Sequence, residues 1–446
     1  MTVQERVKRW IRKRSLAVQA GNEMLRGQRT HTVKYGRGSV KMSERIELLL
    51  NSFKRDEDRE KSALIMSREE VTKAKHFHES FNEYSVTPLV SLDALAKRIN
   101  VAGIYVKDES YRFGLNAFKV LGGSYAMGSY LAQKVGKDIS ELPYEKMVSD
   151  EVRKGTGDVT FVTATDGNHG RGVAWTANRL KQKSVVYMPK GSSEIRLKNI
   201  QAEGADASIT DMNYDDAVRL AAAYADEHRG LVVQDTAWEG YTDIPTWIMQ
   251  GYGTMALEAS SQLKDMGVDR PTHIFIQAGV GSLAGAIQGF FAMEHKDSVP
   301  YTVVVEPHQA ACYFLSAQEK EMRSVGGDMQ TIMAGLACGE PNIIAFDIIR
   351  NYSEAFLSCP DYVAADGMRV LGNPVGEDRK VTSGESGAVT LGALYRIMTD
   401  EKYAEYRAKL KLDENSRVLL FSTEGDTDPK KYREIVWLGH DHEPKA

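Results

Sequence analysis

The sequence predicts an α/β fold of two domains, with parallel-rich sheets flanked by helices, on three observations. Short β-branched runs alternate with helical stretches along most of the chain: IYVKDES, VTFVTAT, SVVYMP, DASITD, LVVQDT, HIFIQAG, YTVVVEP and VLLFSTEG. That alternation is the mark of parallel strands joined by crossover helices and covered on both faces. Glycine clusters fall just after strands, as DGNHG, AGVGSLAG and TEGD do, and in such sheets ligands collect at the carboxyl ends of strands. Finally, 446 residues with 42% hydrophobic content can build two or three packed units.

The elements follow in order. Residues 1–45 carry 12 Lys or Arg against 3 Glu and no Asp. They read as a basic, poorly ordered extension, with an organellar targeting segment or a nucleic-acid-binding arm as alternatives and Met42 as a second candidate start. From residue 46 the pattern is charged and helical (ERIELLLNSFKRDEDREKSA, then SREEVTKAKHFHESF). Ser67 and Glu70 stand at capping-box spacing, so this region is a helical lead-in. A strand is expected in IYVKDES, and a helix is expected to begin near Lys119 in GLNAFKVLGGSYA. Residues 126–239 carry their own alternation and are expected to form a small α/β domain inserted into a larger one made of 46–125 and 240–446.

Composition excludes several classes of function. The net charge of −4 provides no global attraction to nucleic acid or to an anionic membrane. Three scattered cysteines, Cys312, Cys338 and Cys359, indicate neither a disulfide framework nor a zinc site. No apolar run approaches the roughly 20 residues that span a bilayer. A cytoplasmic protein acting on a small molecule is the expectation.

Two stretches could do chemistry. AGVGSLAGAIQGF, residues 278–290, follows a strand and opens a helix, so its backbone amides can cradle a phosphate. Taken alone it is ambiguous, because G-x-G-x-x-x-G is one residue longer than the dinucleotide fingerprint and Glu306 ends the next strand where a ribose-binding acid would sit. Lys119 lies among apolar and small residues, where desolvation lowers an ammonium's pKa and suits a Schiff-base nucleophile. A lysine snorkelling from a half-buried helix is the plainer reading.

The combination N-A-F-K-x-L-G-G, T-D-G-N-H-G-R-G, G-V-G-S-L-A-G, S-G-E-S-G-A and S-T-E-G-D-T-D, in that order, resembles the tryptophan synthase β-like superfamily of pyridoxal 5′-phosphate enzymes, fold type II. Within it the chain is most similar to the diaminopropionate ammonia-lyase family, in MPKGS, DMNYDD, QDTAWEGYTDIPTWIMQGY, VGGDMQTIMAGLACGEPN and GMRVLGNP. The resemblance implies that Lys119 holds pyridoxal 5′-phosphate covalently and then serves as a base at the substrate's Cα. It implies that Asn168 meets the ring's 3′-oxygen, that Gly279, Val280, Gly281, Ser282 and Leu283 bind the phosphate, and that Ser422 or Thr423 meets the pyridine nitrogen. A neutral hydroxyl there favours elimination over transamination.

Asp166, inside VTATDGNHGRG, departs from related dehydratases, which carry Ser or Ala at that place. The resemblance makes it an attractant for a second substrate ammonium and a base on the face opposite Lys119; as a residue it also suits a helix N-cap. Thr165, Gly167, Asn168 and His169 would bind substrate beside it, and Asp235, ending LVVQD, would contact the distal amine or merely cap. SGESGA could close over the cofactor or simply begin a helix. Trp238, Tyr241, Trp247 and Tyr252 read as packing or interface aromatics.

The implied reaction is α,β-elimination of D- or L-2,3-diaminopropionate to pyruvate and two ammonia, in a cytoplasmic homodimer with no metal. The rivals are a serine or threonine dehydratase on the same fold and a nicotinamide-dependent dehydrogenase resting on the G-x-G segment and Glu306.

Overall fold

A computed structural model describes residues 44–165 and 167–444; nearly all of the basic N-terminal stretch, and Asp166, lie outside them. Eleven strands run β1 (Glu47–Leu50), β2 (Leu89–Ser91), β3 (Gly103–Asp108), β4 (Thr160–Ala164), β5 (Lys183–Met188), β6 (Asp206–Ile209), β7 (Leu231–Val232), β8 (His273–Gln277), β9 (Tyr301–Pro307), β10 (Ser353–Cys359) and β11 (Arg417–Ser422) among the described residues. Seven form one sheet in the order β1-β10-β9-β8-β11-β3-β2, and four form a second in the order β6-β5-β4-β7.

All pairings are parallel except the two edges of the large sheet, β1 on β10 and β2 on β3. The central strands are buried on both faces, as β8 (HIFIQ) and β3 (GIYVKD) show, which is why their middles are apolar rather than alternating. We propose that the four-stranded sheet is the core of the small domain set apart by the sequence.

Six helices place the site: α1 (Val120–Lys134), α2 (Asn168–Arg179), α3 (Asp243–Asp265), α4 (Ser282–Glu294), α5 (Cys312–Glu319) and α6 (Glu385–Thr399). Helix α1 runs across the boundary expected at residue 126. The 23 residues of α3 pack along α1, and the crossing is closest at glycines, since a Cβ on Gly122 would stand 2.6 Å from the Tyr252 ring.

The lead-in differs from its expectation. Ser67 does cap a helix, accepting from the Glu70 N–H at 3.4 Å, but the ELLL run near the start of the lead-in is strand β1, not helix. Four residues of mixed polarity carry no decisive period, and pairing with β10 decides the matter. Strand β10 itself (SEAFLSC) is likewise invisible to a search for β-branched runs.

Candidate active site

A cavity of about 870 Å³ is lined by residues at the carboxyl ends of β8 and β11 of the large sheet and of β4 of the second sheet. In the large sheet β8 lies between β9 and β11, whose chain directions of growth diverge, which is where a ligand crevice forms in an open α/β sheet.

Lys119 is the N-cap of α1. Its position is fixed by backbone bonds to the end of β11: Phe118 N–H donates to Thr423 O at 3.0 Å, and Gly425 N–H to Asn116 O at 3.1 Å. The Lys119 side chain is one-fifth exposed at 20% and its ammonium pairs with the buried carboxylate of Asp235. Burial alone would push Asp235 up, but the charge of Lys119, then that of His169, outweighs it and holds the carboxyl below its ordinary range. The Asp235 carbonyl in turn accepts from Ser282 Oγ, tying it to the glycine loop.

That loop joins β8 to α4. Gly281 is the N-cap, at φ +97°, and the Tyr313 ring lies directly against it, so no side chain fits there. The Val280 carbonyl points away from the cavity and is held by Tyr313 OH at 2.9 Å and Asn342 N–H at 2.8 Å. Asn342 Nδ2 also donates to Ser282 Oγ at 2.8 Å. The first amides of α4 have no partner inside the helix, and residues 279–283 all line the cavity. The arrangement is an anion cradle.

Asn168 begins α2 and donates through Nδ2 to Glu424. Thr165 Oγ1 accepts from Gly167 N–H at 3.0 Å. The N-cap of α2 is Gly167, without a side-chain cap bond; the cap reading of Asp166 lies outside the described residues. His169 Nε2 donates to Val233 O at 2.8 Å and anchors α2 to the segment that carries Asp235. Thr423 lines the cavity, with Oγ1 accepting from Gln277 Nε2 at 3.0 Å, which leaves its O–H to donate elsewhere. Ser422 lies behind it and is not on the cavity wall; its buried Oγ has no hydrogen-bond partner among the described residues.

Sequence reasoning missed several wall residues. Pro189–Ser192, Asn213 with Tyr214, and Gly327–Ile332 with Ala334–Cys338 line the cavity; they belong to MPKGS, DMNYDD and VGGDMQTIMAGLACGEPN, stretches noted for likeness alone. Glu385, in the SGESGA stretch that the sequence did mark, starts α6 and lines the cavity, and burial followed by the neighbouring charge of Glu424 pushes its carboxyl up to about 7. Tyr252, read as packing, reaches the wall as well. Glu306 does the opposite. Its two oxygens accept from the N–H groups of Tyr313 at 2.8 Å and Phe314 at 2.7 Å, so it caps α5 behind the glycine loop and is no ribose-binding acid.

Three residues of the cavity wall, Tyr252, Gln277 and Ser386, each carry a buried polar atom (OH, Oε1 and Oγ) with no hydrogen-bond partner among the described residues. Buried polar groups are normally satisfied, so these await a polar ligand. With an amine at Lys119, an anion cradle and a neutral hydroxyl at Thr423, the wall fits pyridoxal 5′-phosphate. Residues 81–424 match the family described as "Pyridoxal-phosphate dependent enzyme".

The chain belongs to this family.

Its relatives are specific. It is 52% identical over 366 residues to a diaminopropionate ammonia-lyase of Salmonella typhimurium, covering 81% of this chain and 91% of that protein. It is 49% identical over 397 residues to the Escherichia coli protein of the same name, covering 89% and 98%. A crystal structure of the Escherichia coli enzyme with an aminoacrylate-PLP azomethine reaction intermediate superposes with a TM-score of 0.82 at 46% identity, over 90% of this chain and 100% of that one. The family's fold type II architecture is thus that of this chain, and its cofactor is pyridoxal 5′-phosphate.

Proposed function

We propose that the protein eliminates both nitrogens of 2,3-diaminopropionate, as either enantiomer, to give pyruvate and two ammonia. The observation that carries this reading is the buried carboxylate of Asp235 beside the Lys119 amine, one acid more than a β-hydroxy substrate needs. Bound pyridoxal phosphate supplies an aldehyde for the substrate's α-amine and a ring that draws electrons from Cα.

The chain's own residues do the rest. Lys119 holds the cofactor and, once released, takes the Cα proton on Nζ. Asn168 donates to the ring's 3′-oxygen, the amides of residues 279–283 hold the phosphate, and the Thr423 hydroxyl rather than Ser422 meets the pyridine nitrogen. Thr165 to His169 receive the α-carboxylate. Asp235 holds the distal amine as an ammonium, so it departs as neutral ammonia without a further acid. Asp166 takes the proton of the enantiomer whose Cα hydrogen faces away from Lys119.

No helix among the described residues is long and apolar enough to cross a membrane. A cytoplasmic homodimer is part of the proposal, from the habit of fold type II enzymes. The test is pyruvate release from D- and L-2,3-diaminopropionate and from D- and L-serine by protein loaded with pyridoxal phosphate. Diaminopropionate should exceed serine at least about tenfold in kcat/KM; a preference for serine would establish a dehydratase instead.

A further inference from the structure

The ladder between β8 and β11 pairs His273 with Val418 and Ile274 with Leu419. Past those pairs a side chain joins the two strands. Gln277, 1% exposed at the end of β8, donates through Nε2 to Phe421 O and to Thr423 Oγ1, each at 3.0 Å. Its Oε1 is buried without a hydrogen-bond partner among the described residues.

These contacts fix which end of the amide faces which neighbour. A backbone carbonyl only accepts, so the end of Gln277 against Phe421 O must be the NH2 group. Turning the amide over would set two oxygens against each other and bury an unpartnered donor, which is costly. The same NH2 group therefore meets Thr423, whose hydroxyl must accept there and has its single hydrogen to give in another direction. The backbone around Thr423 is held separately: Thr423 O accepts from Phe118 N–H at 3.0 Å, and Glu424 O from Gly384 N–H at 2.9 Å. What is left to settle is the direction of the hydroxyl hydrogen, and Gln277 settles it.

We propose that Gln277 is a positioning residue for the cofactor ring, because it makes the Thr423 hydroxyl a donor, and never an acceptor, toward the pyridine nitrogen. This rests on the reading of Thr423 above. A fixed donor favours the unprotonated nitrogen and disfavours the protonated one. A hydroxyl free to turn would accept from a protonated nitrogen as readily as it donates to a bare one. Gln277 thus holds the ring in its weaker electron-withdrawing form, the one suited to elimination.

The test loads full-length protein with pyridoxal phosphate isotope-labelled at the ring nitrogen and reads that nitrogen by NMR at mildly acidic pH. In the parent the nitrogen should be unprotonated; a protonated nitrogen overturns the proposal. Gln277→Met, similar in size but without a donor, should raise the ratio of protonated to unprotonated ring about 3- to 10-fold. Should that variant fail to fold, Gln277→Glu serves, because it keeps the shape and offers Thr423 an acceptor whether neutral or ionised. Thr423→Val should move the resonance the other way, toward a nitrogen with no partner, and in that background the Gln277 variants should add nothing. Gln277 variants that leave the ratio unchanged, or change it equally without the Thr423 hydroxyl, overturn this inference alone. A resonance that Thr423→Val does not move would instead sink the reading of Thr423, and this inference with it.

Discussion

The ammonium of Lys119 donates to the carboxylate of Asp235, 116 residues further along the chain, and the two residues arrive from different sheets. Lys119 is brought by its backbone link to β11, and Asp235 by the segment after β7, where Gln234 N–H donates to Tyr241 OH at 2.9 Å. Replacing Asp235 by Asn removes the charge and keeps the shape. KM for diaminopropionate should rise about 10- to 100-fold, with a smaller effect on serine, measured by steady-state pyruvate release.

The glycine loop depends on Gly281, whose φ of +97° and contact with Tyr313 admit no side chain. Gly281→Ala should cost at least about 1–3 kcal/mol of stability and weaken cofactor retention, read by thermal melting and equilibrium dialysis against pyridoxal phosphate. A variant that retains cofactor as the parent does would remove this loop from the cofactor site.

Thr423 and Ser422 are adjacent but not equivalent. Thr423→Val should change the visible spectrum of the loaded protein and lower kcat about tenfold or more. Ser422→Ala, which removes an unpartnered buried hydroxyl, should leave both the spectrum and stability close to the parent. The reverse pattern would make Ser422 the pyridine partner.

Glu385 sets a pH dependence of stability. Its folded value is raised from 4.5 to about 7 by burial and then by Glu424, so between those values the folded state binds the extra proton. Stability should therefore fall as pH rises from about 4.5 to 7, by up to about 3 kcal/mol. Urea denaturation should show that slope in the parent and a flatter one in Glu385→Gln.

Much of this was legible in the sequence. Asn168, the 279–283 loop and the Ser422–Thr423 pair each stand where a strand passes into a turn or helix, and Lys119 stands at a helix start; local pattern marks such places but did not separate Ser422 from Thr423. Tyr252 could not be found that way, because an aromatic on a helix looks the same whether it faces a core or a cavity; SGESGA was marked, but pattern alone did not separate a segment over the cofactor from a plain helix start, and Glu385 both starts α6 and lines the cavity. Glu306 misled for a related reason. Its spacing after G-x-G is that of a ribose acid, and only the three-dimensional path shows it turned into the N-terminus of α5. Strand β1 was missed because its partner, β10, lies some 300 residues away in sequence.

Asp166 lies outside the described residues, and its role is tested chemically. Asp166→Asn should abolish turnover of D-2,3-diaminopropionate while part of the activity on the L-isomer remains. Lys119→Ala should remove turnover of both enantiomers and leave the circular dichroism unchanged. An unaltered ratio of kcat/KM for D and L substrates in Asp166→Asn would exclude it as the face-specific base.

The most direct measurement is the stoichiometry of products from 2,3-diaminopropionate, with ammonia and pyruvate determined in the same reaction for each enantiomer. Elimination assisted by Lys119 and Asp235 should yield two ammonia for every pyruvate from both. One ammonia or none per substrate consumed, or no pyruvate, would contradict the account.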